Sequence, residues 1–121
     1  MGDRLTGAII GAAIELHREL GPGLLESIYE AAFCRELGVR NLQYRRQVPV
    51  NISYKGEVIK GQRIDMIVQE KVVVEVKSLR NLPAVAVAQV LSYLKASKLN
   101  KGLIINFGTL RLIDGVKRIS L

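Results

Sequence analysis

A chain of 121 residues, 49% hydrophobic and 24% charged, has the size and composition of a single globular domain spanning residues 1–121. Its apolar runs are too short to cross a bilayer, and Met1-Gly-Asp-Arg-Leu-Thr6 lacks the basic-then-apolar order of a signal peptide, so a cytoplasmic protein with no membrane role is expected. A net charge of +7 points to a polyanionic partner, nucleic acid first, while 5% aromatic residues and no Trp argue against a base-stacking platform for single strands.

Gly2 with Thr6 matches the myristoylation pattern, but so short a match recurs by chance. Cys34 is the only cysteine, which excludes an internal disulfide or a cysteine-rich metal site. Its setting, Ala-Ala-Phe-Cys, reads as an apolar helix face.

Residues 4–20 carry Leu5, Ile9, Ala12, Ala13, Leu16 and Leu20 at helical spacing, and Gly21-Pro22-Gly23 ends that helix. A second helix is expected from about Leu24 to Leu37, with Leu25, Ile28, Ala32 and Phe33 as its apolar stripe and Gly38 as its stop. From Gln43 the period becomes two. Val48, Val50, Ile52 and Tyr54 alternate with Gln47, Pro49, Asn51 and Ser53, and Pro49 marks an edge strand or a bulge. Lys55-Gly56 is a turn. Val58–Val68 is a second strand, interrupted near Gly61, and Lys71–Ser78 a third. Pro83 opens a helix that runs to about Ser97 on Val87, Val90, Leu91 and Leu94. Lys101–Asn106 is a short apolar strand, Gly108 a turn, and Leu110–Ile119 a last strand. The order is α-α-β-β-β-α-β-β.

The third strand, Lys71-Val-Val-Val-Glu-Val-Lys77, holds an acid in a run that otherwise reads as buried. A buried carboxylate is costly unless a cation or metal compensates it. Asp65 lies in a similar setting, Arg63-Ile-Asp-Met-Ile-Val68. Two acids and a lysine on neighbouring strands suit a metal site for phosphodiester hydrolysis. The same alternation also describes a half-solvated strand in which Glu75 and Lys77 are simply wet, and spacing on its own favours that blander reading. Register separates the two. With Gln69, Glu70 and Lys71 as a three-residue loop, Val68 faces Val72 and Asp65 faces Glu75. A two-residue turn at Glu70-Lys71 sets Asp65 across from Val76, with the acids on opposite faces.

The segments Gly23-Leu-Leu-Glu26-Ser-Ile-Tyr29, Gln47-Val-Pro-Val50, Asp65, Glu75-Val-Lys77, Ala88-Gln89-Val-Leu-Ser-Tyr93-Leu-Lys95 and Gly102-Leu-Ile-Ile-Asn-Phe-Gly108, in that order, closely resemble the GxxExxY protein family of the PD-(D/E)xK nuclease superfamily. The resemblance runs from about Leu5 to Ile119. It implies an α/β fold with a restriction-endonuclease-like α-β-β-β-α-β core, a mixed sheet flanked by helices. It also implies a metal-dependent nuclease acting on DNA, or an inactive nucleic-acid-binding or homodimeric interaction module of the same fold.

Under that resemblance, Asp65, Glu75 and the carbonyl of Val76 hold magnesium, with manganese as a substitute. Lys77 orients the attacking water or neutralises charge on the phosphate. Glu26 and Gln89 are catalytic accessories. Read without the family, Glu26 is a first-turn glutamate favoured by the helix dipole, and Gln89 borders solvent on the same helix face as Tyr93. Arg45, Arg46, Arg63 and Arg80 are candidate phosphate contacts. Tyr29 and Tyr93 read as amphipathic residues at the core edge. His17, the only histidine, is kept as a neighbour of Glu26. A homodimer would let two sites address two strands.

Overall fold

The computed structural model describes residues 3–121, so the Gly2 match lies outside the described residues. Helix α1 spans Arg4–Leu20. Asp3 starts it, its Oδ1 accepting the Thr6 N–H at 2.7 Å, and Gly21 stops it at φ 70°. Its buried side carries Ile9, Ala12, Ala13 and Leu16, as the spacing predicts, but Leu20, expected in the same stripe, is exposed at the helix end.

Helix α2 spans Glu26–Val39 and corrects the expected stripe. Leu25 and Ile28 are exposed, while Tyr29, Phe33 and Leu37 are fully buried. The buried row steps by four from Tyr29, so a tyrosine rather than an isoleucine anchors the helix. Gly38 is not a stop either. It lies inside the helix, and Arg40 caps it.

Strands β1 (Tyr44–Tyr54), β2 (Glu57–Val68), β3 (Val72–Lys77), β4 (Lys101–Asn106) and β5 (Val116–Ser120) form one sheet in the order β1-β2-β3-β4-β5. Only β3 and β4 are parallel, joined by helix α3 (Val85–Ser97). Pro49 does lie on an edge strand. The register between β1 and β2 shifts between Val50 and Ile52, opposite Gly61 at φ 118°, a bulge that suits glycine. The expected last strand is half correct. Leu112–Gly115 is a 3-10 turn, and pairing begins only at Val116.

The sheet is covered on both sides. Helices α1 and α2 pack on Met66, Val68, Val72, Val74, Val76, Leu103 and Ile105. Helix α3 packs Ala86, Val90, Tyr93 and Leu94 on Ile67, Val73 and Ile104. The half-solvated reading of β3 therefore fails. Val73 is fully buried and Glu75 is 3% exposed, because a central strand beside a parallel neighbour has helices on both faces.

After β4 the chain returns across the loop that follows β3. A Cβ on Gly108 would sit 2.2 Å from the Leu79 carbonyl oxygen and 2.7 Å from its nitrogen. Backbone cannot yield as a flexible side chain can, so Gly108→Ala should cost about 3 kcal/mol or more. Gly7 on α1 has open space around it, and Gly7→Ala should instead stabilise by about 0.5–1 kcal/mol. Urea unfolding of the two variants checks both signs.

Candidate active site

The β2–β3 hairpin has the three-residue loop. Val68 pairs with Val72, Ile67 with Val73, and Met66 with Val74; Gln69 and Glu70 both take positive φ, at 54°. Continuing that register brings Asp65 opposite Glu75. The ladder stops there, and side chains replace it. The Asp65 N–H donates to Glu75 Oε2 at 2.8 Å, and the Val76 N–H donates to Asp65 Oδ2 at 2.9 Å. Each acid thus accepts from the other strand's main chain, and the two carboxylates fill the opening between the strands.

Burial dominates their protonation. Glu75 is pushed up to about 8, first by desolvation and then by the Asp65 charge, against the Asp65 N–H and Lys77. Asp65 is also raised by burial and by Glu30, while the Val76 N–H, Lys77 and Gln47 oppose the rise. One oxygen of each acid is committed to an N–H. Among the described residues, Asp65 Oδ1 has only a long 3.5 Å contact from Gln47. These are two hard oxygen donors whose buried charge needs compensation. With the Val76 carbonyl, they fit a small divalent cation. Among the described residues no three His, Cys, Asp or Glu side chains stand close enough to hold an ion, so Glu26 does not complete a shell of three side chains.

Glu26 is the first residue of α2. Burial raises its pKa, Lys77 lowers it, and Asp65 and Glu30 raise it; it feels the cluster without a direct hydrogen bond to it among the described residues. What places it is the Gly23–Tyr29 segment. The Tyr29 hydroxyl donates to the Gly21 carbonyl and accepts the Leu24 N–H at 3.1 Å. Its ring stacks on Phe107 at 4.7 Å. Ser78 Oγ, next to Lys77, donates to the Leu24 carbonyl at 2.6 Å. Glycine at 23 takes φ 103°, so the turn, the glutamate and the tyrosine act as one unit. Tyr29→Phe should keep the ring stack but strand two main-chain groups, costing about 1–2 kcal/mol. Denaturant unfolding measures this.

Tyr93 is buried on α3 and hydrogen-bonds Gln62. Desolvation raises its pKa against that hydrogen bond, and the Glu75 and Asp65 charges add to the rise. Gln89 is half-buried one turn earlier. His17 has its Nε2 3.0 Å from the Thr109 carbonyl and its ring stacked on Phe107, the ring that Tyr29 also stacks on. Arg45 is paired with Glu70 at 2.7 Å, and Arg46 with the buried Glu30 at 3.0 Å. Arg63 and Arg80 are exposed and have no ion pair among the described residues.

Sequence reasoning missed two residues. Glu30, which helical spacing sets in one broad sector with Glu26, Tyr29 and Phe33, is 7% exposed. Gln47 reads as an outward strand residue but takes φ 50°, uncommon for a non-glycine. This turns its amide to within 3.1 and 3.2 Å of the Glu30 oxygens and toward Asp65. One signal was available: Gln47 opens the Gln47-Val-Pro-Val50 segment, one of those that carry the resemblance.

The profile of the PD-(D/E)XK nuclease superfamily matches residues 3–119. The chain belongs to that superfamily. No curated protein and no solved structure matches it. Nucleases of this superfamily generally use divalent metal ions and act on nucleic acid. No helix among the described residues is long and apolar enough to cross a membrane.

Proposed function

We propose that this PD-(D/E)XK protein is a magnesium-dependent nuclease that hydrolyses phosphodiester bonds in DNA, and that it falls in the GxxExxY family on the strength of Gly23, Glu26 and Tyr29. The observation that carries the reading is the reciprocal pair, Asp65 and Glu75 each accepting the opposite strand's N–H while burial disfavours their charge. Such a pair is costly as structure and useful as a cation site.

Asp65, Glu75 and the Val76 carbonyl would hold the ion. When bound, it supplies Lewis acidity toward the phosphate and a lowered pKa for water. Lys77 sits two residues beyond Glu75 on the strand, and its ammonium acts on Asp65, Glu75 and Glu26 alike. Its role is to neutralise charge growing on the phosphate oxygens and to orient the attacking water. Glu26 accepts a hydrogen bond from water at the helix end, and Gln89 orients groups from the α3 side. Arg63 and Arg80, free of ion pairs among the described residues, are the better phosphate contacts. Arg45 and Arg46 must first give up Glu70 and Glu30.

The test is incubation of labelled duplex, branched and single-stranded DNA and RNA with magnesium, manganese or chelator, comparing wild type with Asp65→Ala. Metal-dependent products that disappear in Asp65→Ala are expected. Salt-sensitive binding without products would leave an inactive nucleic-acid-binding module. A homodimer is supported by the β1–β2 hairpin, where Ile52, Tyr54, Val58 and Ile59 are exposed. Sedimentation of wild type against Ile52→Asp/Ile59→Asp tests it, and a monomer in both would remove it.

A further inference from the structure

A cavity of about 750 Å³ lies at the other end of β3 from Lys77, between the start of α1, the end of α3 and the starts of β3 and β4. That volume is within the range of small-molecule sites. Among the described residues five cations line it, Arg4, Lys71, Lys95, Lys98 and Lys101, against a single acidic side chain, Asp3. Asp3 is spent on Lys101; the other four have no ion pair among the described residues. The interior is aliphatic, with Leu5, Val72, Leu94 and Leu99, of which Val72 and Leu94 are fully buried. Among the described residues no aromatic side chain lines it, and Asn100 is the one neutral amide there.

We propose that this cavity is a binding site for an amphipathic anion, a phosphate or carboxylate head on an aliphatic chain, separate from the Asp65–Glu75 notch. The head answers four cations that have no ion pair among the described residues. The chain accounts for the leucines, which gain by leaving water. A nucleotide is the poorer match, because a base has no aromatic face to stack on and few amide partners to read its edge. The proposal does not rest on nuclease activity.

The experiment is calorimetric titration of the intact protein with decyl phosphate below its micellar concentration, beside decanol, inorganic phosphate and AMP. The rim variant Lys71→Glu/Lys95→Glu is titrated in parallel; both positions are exposed, so the fold should persist, and circular dichroism checks that it does. Decyl phosphate should bind saturably and more tightly than the other three, and the rim variant should weaken it by about tenfold or more. Amide shifts should cluster at Leu94–Lys101 and spare Asp65 and Glu75. Equal affinity for decanol, tighter binding of AMP, an unchanged affinity in the rim variant, or no saturable binding would each overturn the proposal.

Discussion

If the chain is the DNA nuclease proposed, Glu75→Gln and Lys77→Ala should each lower DNA cleavage by about a thousandfold or more while leaving DNA affinity within about threefold. The asymmetry follows from where each property resides. Affinity for a polyanion sums many phosphate contacts over a chain of net charge +7, falls steeply with salt, and loses little with one lysine. Cleavage needs the cation, the polarised water and the phosphate at one point, and a contact made only in the transition state costs rate rather than binding. Glu75→Gln is the more telling variant for the acid. A glutamine carbonyl can still accept the Asp65 N–H now held at 2.8 Å, so the hairpin keeps its geometry while the charge is lost. Lys77 is half-buried at the end of β3, and Lys77→Ala leaves no acceptor stranded. Single-turnover cleavage and filter binding on the same preparations separate the two effects. Equal residual cleavage by wild type and Lys77→Ala would identify a contaminating nuclease and end the catalytic reading.

The hairpin that brings the acids together was legible because it depends on local chemistry. Val68 and Val72 flank a polar triplet, and the period of two carries that pairing back to Asp65 and Glu75. What covers the hairpin was not legible. Whether Glu75 meets water or protein depends on α3, whose Val90 and Leu94 lie 15 or more positions away and pack on Val73 and Ile104 only once β4 has paired in parallel. No window along one strand contains that information. Glu30 is hidden for the same reason. Its burial depends on Arg46 and Gln47 arriving from β1, and Gln47 reaches it only through a left-handed backbone that alternation does not foresee. The last strand was misread because Leu110 to Ile113 is apolar enough to look extended. In the fold Leu110 is 88% exposed, and Thr109 turns the chain by bonding its Oγ1 to the Arg111 carbonyl.

Without divalent cations the fold should lose stability as pH rises from about 4.5 to about 8, the reverse of a protein held by ordinary carboxylate pairs. Glu75 keeps its proton in the folded chain up to about 8, against an ordinary 4.5. Between those values folding takes up a proton, so the folded state is favoured at the acid end and the advantage is gone once pH passes about 8. Asp65 and Glu26 are raised too and act with the same sign. Asp3 is lowered, chiefly by its hydrogen bond to Lys101, but titrates below this window. The Glu75 shift corresponds to a few kcal/mol, roughly 10 °C in Tm for a chain of this size. Glu75→Gln should flatten the profile and melt higher than wild type at pH 8.5, because an amide has no charge to bury. Millimolar magnesium should flatten it in wild type alone, raising Tm most at alkaline pH and releasing protons below it. Melts at half-unit steps from pH 5 to 9, with and without the ion, decide the matter. A slope that survives Glu75→Gln would place the titrating group elsewhere. A wild type whose melts ignore magnesium, and match Asp65→Ala in doing so, would mean that the buried pair no longer takes a cation.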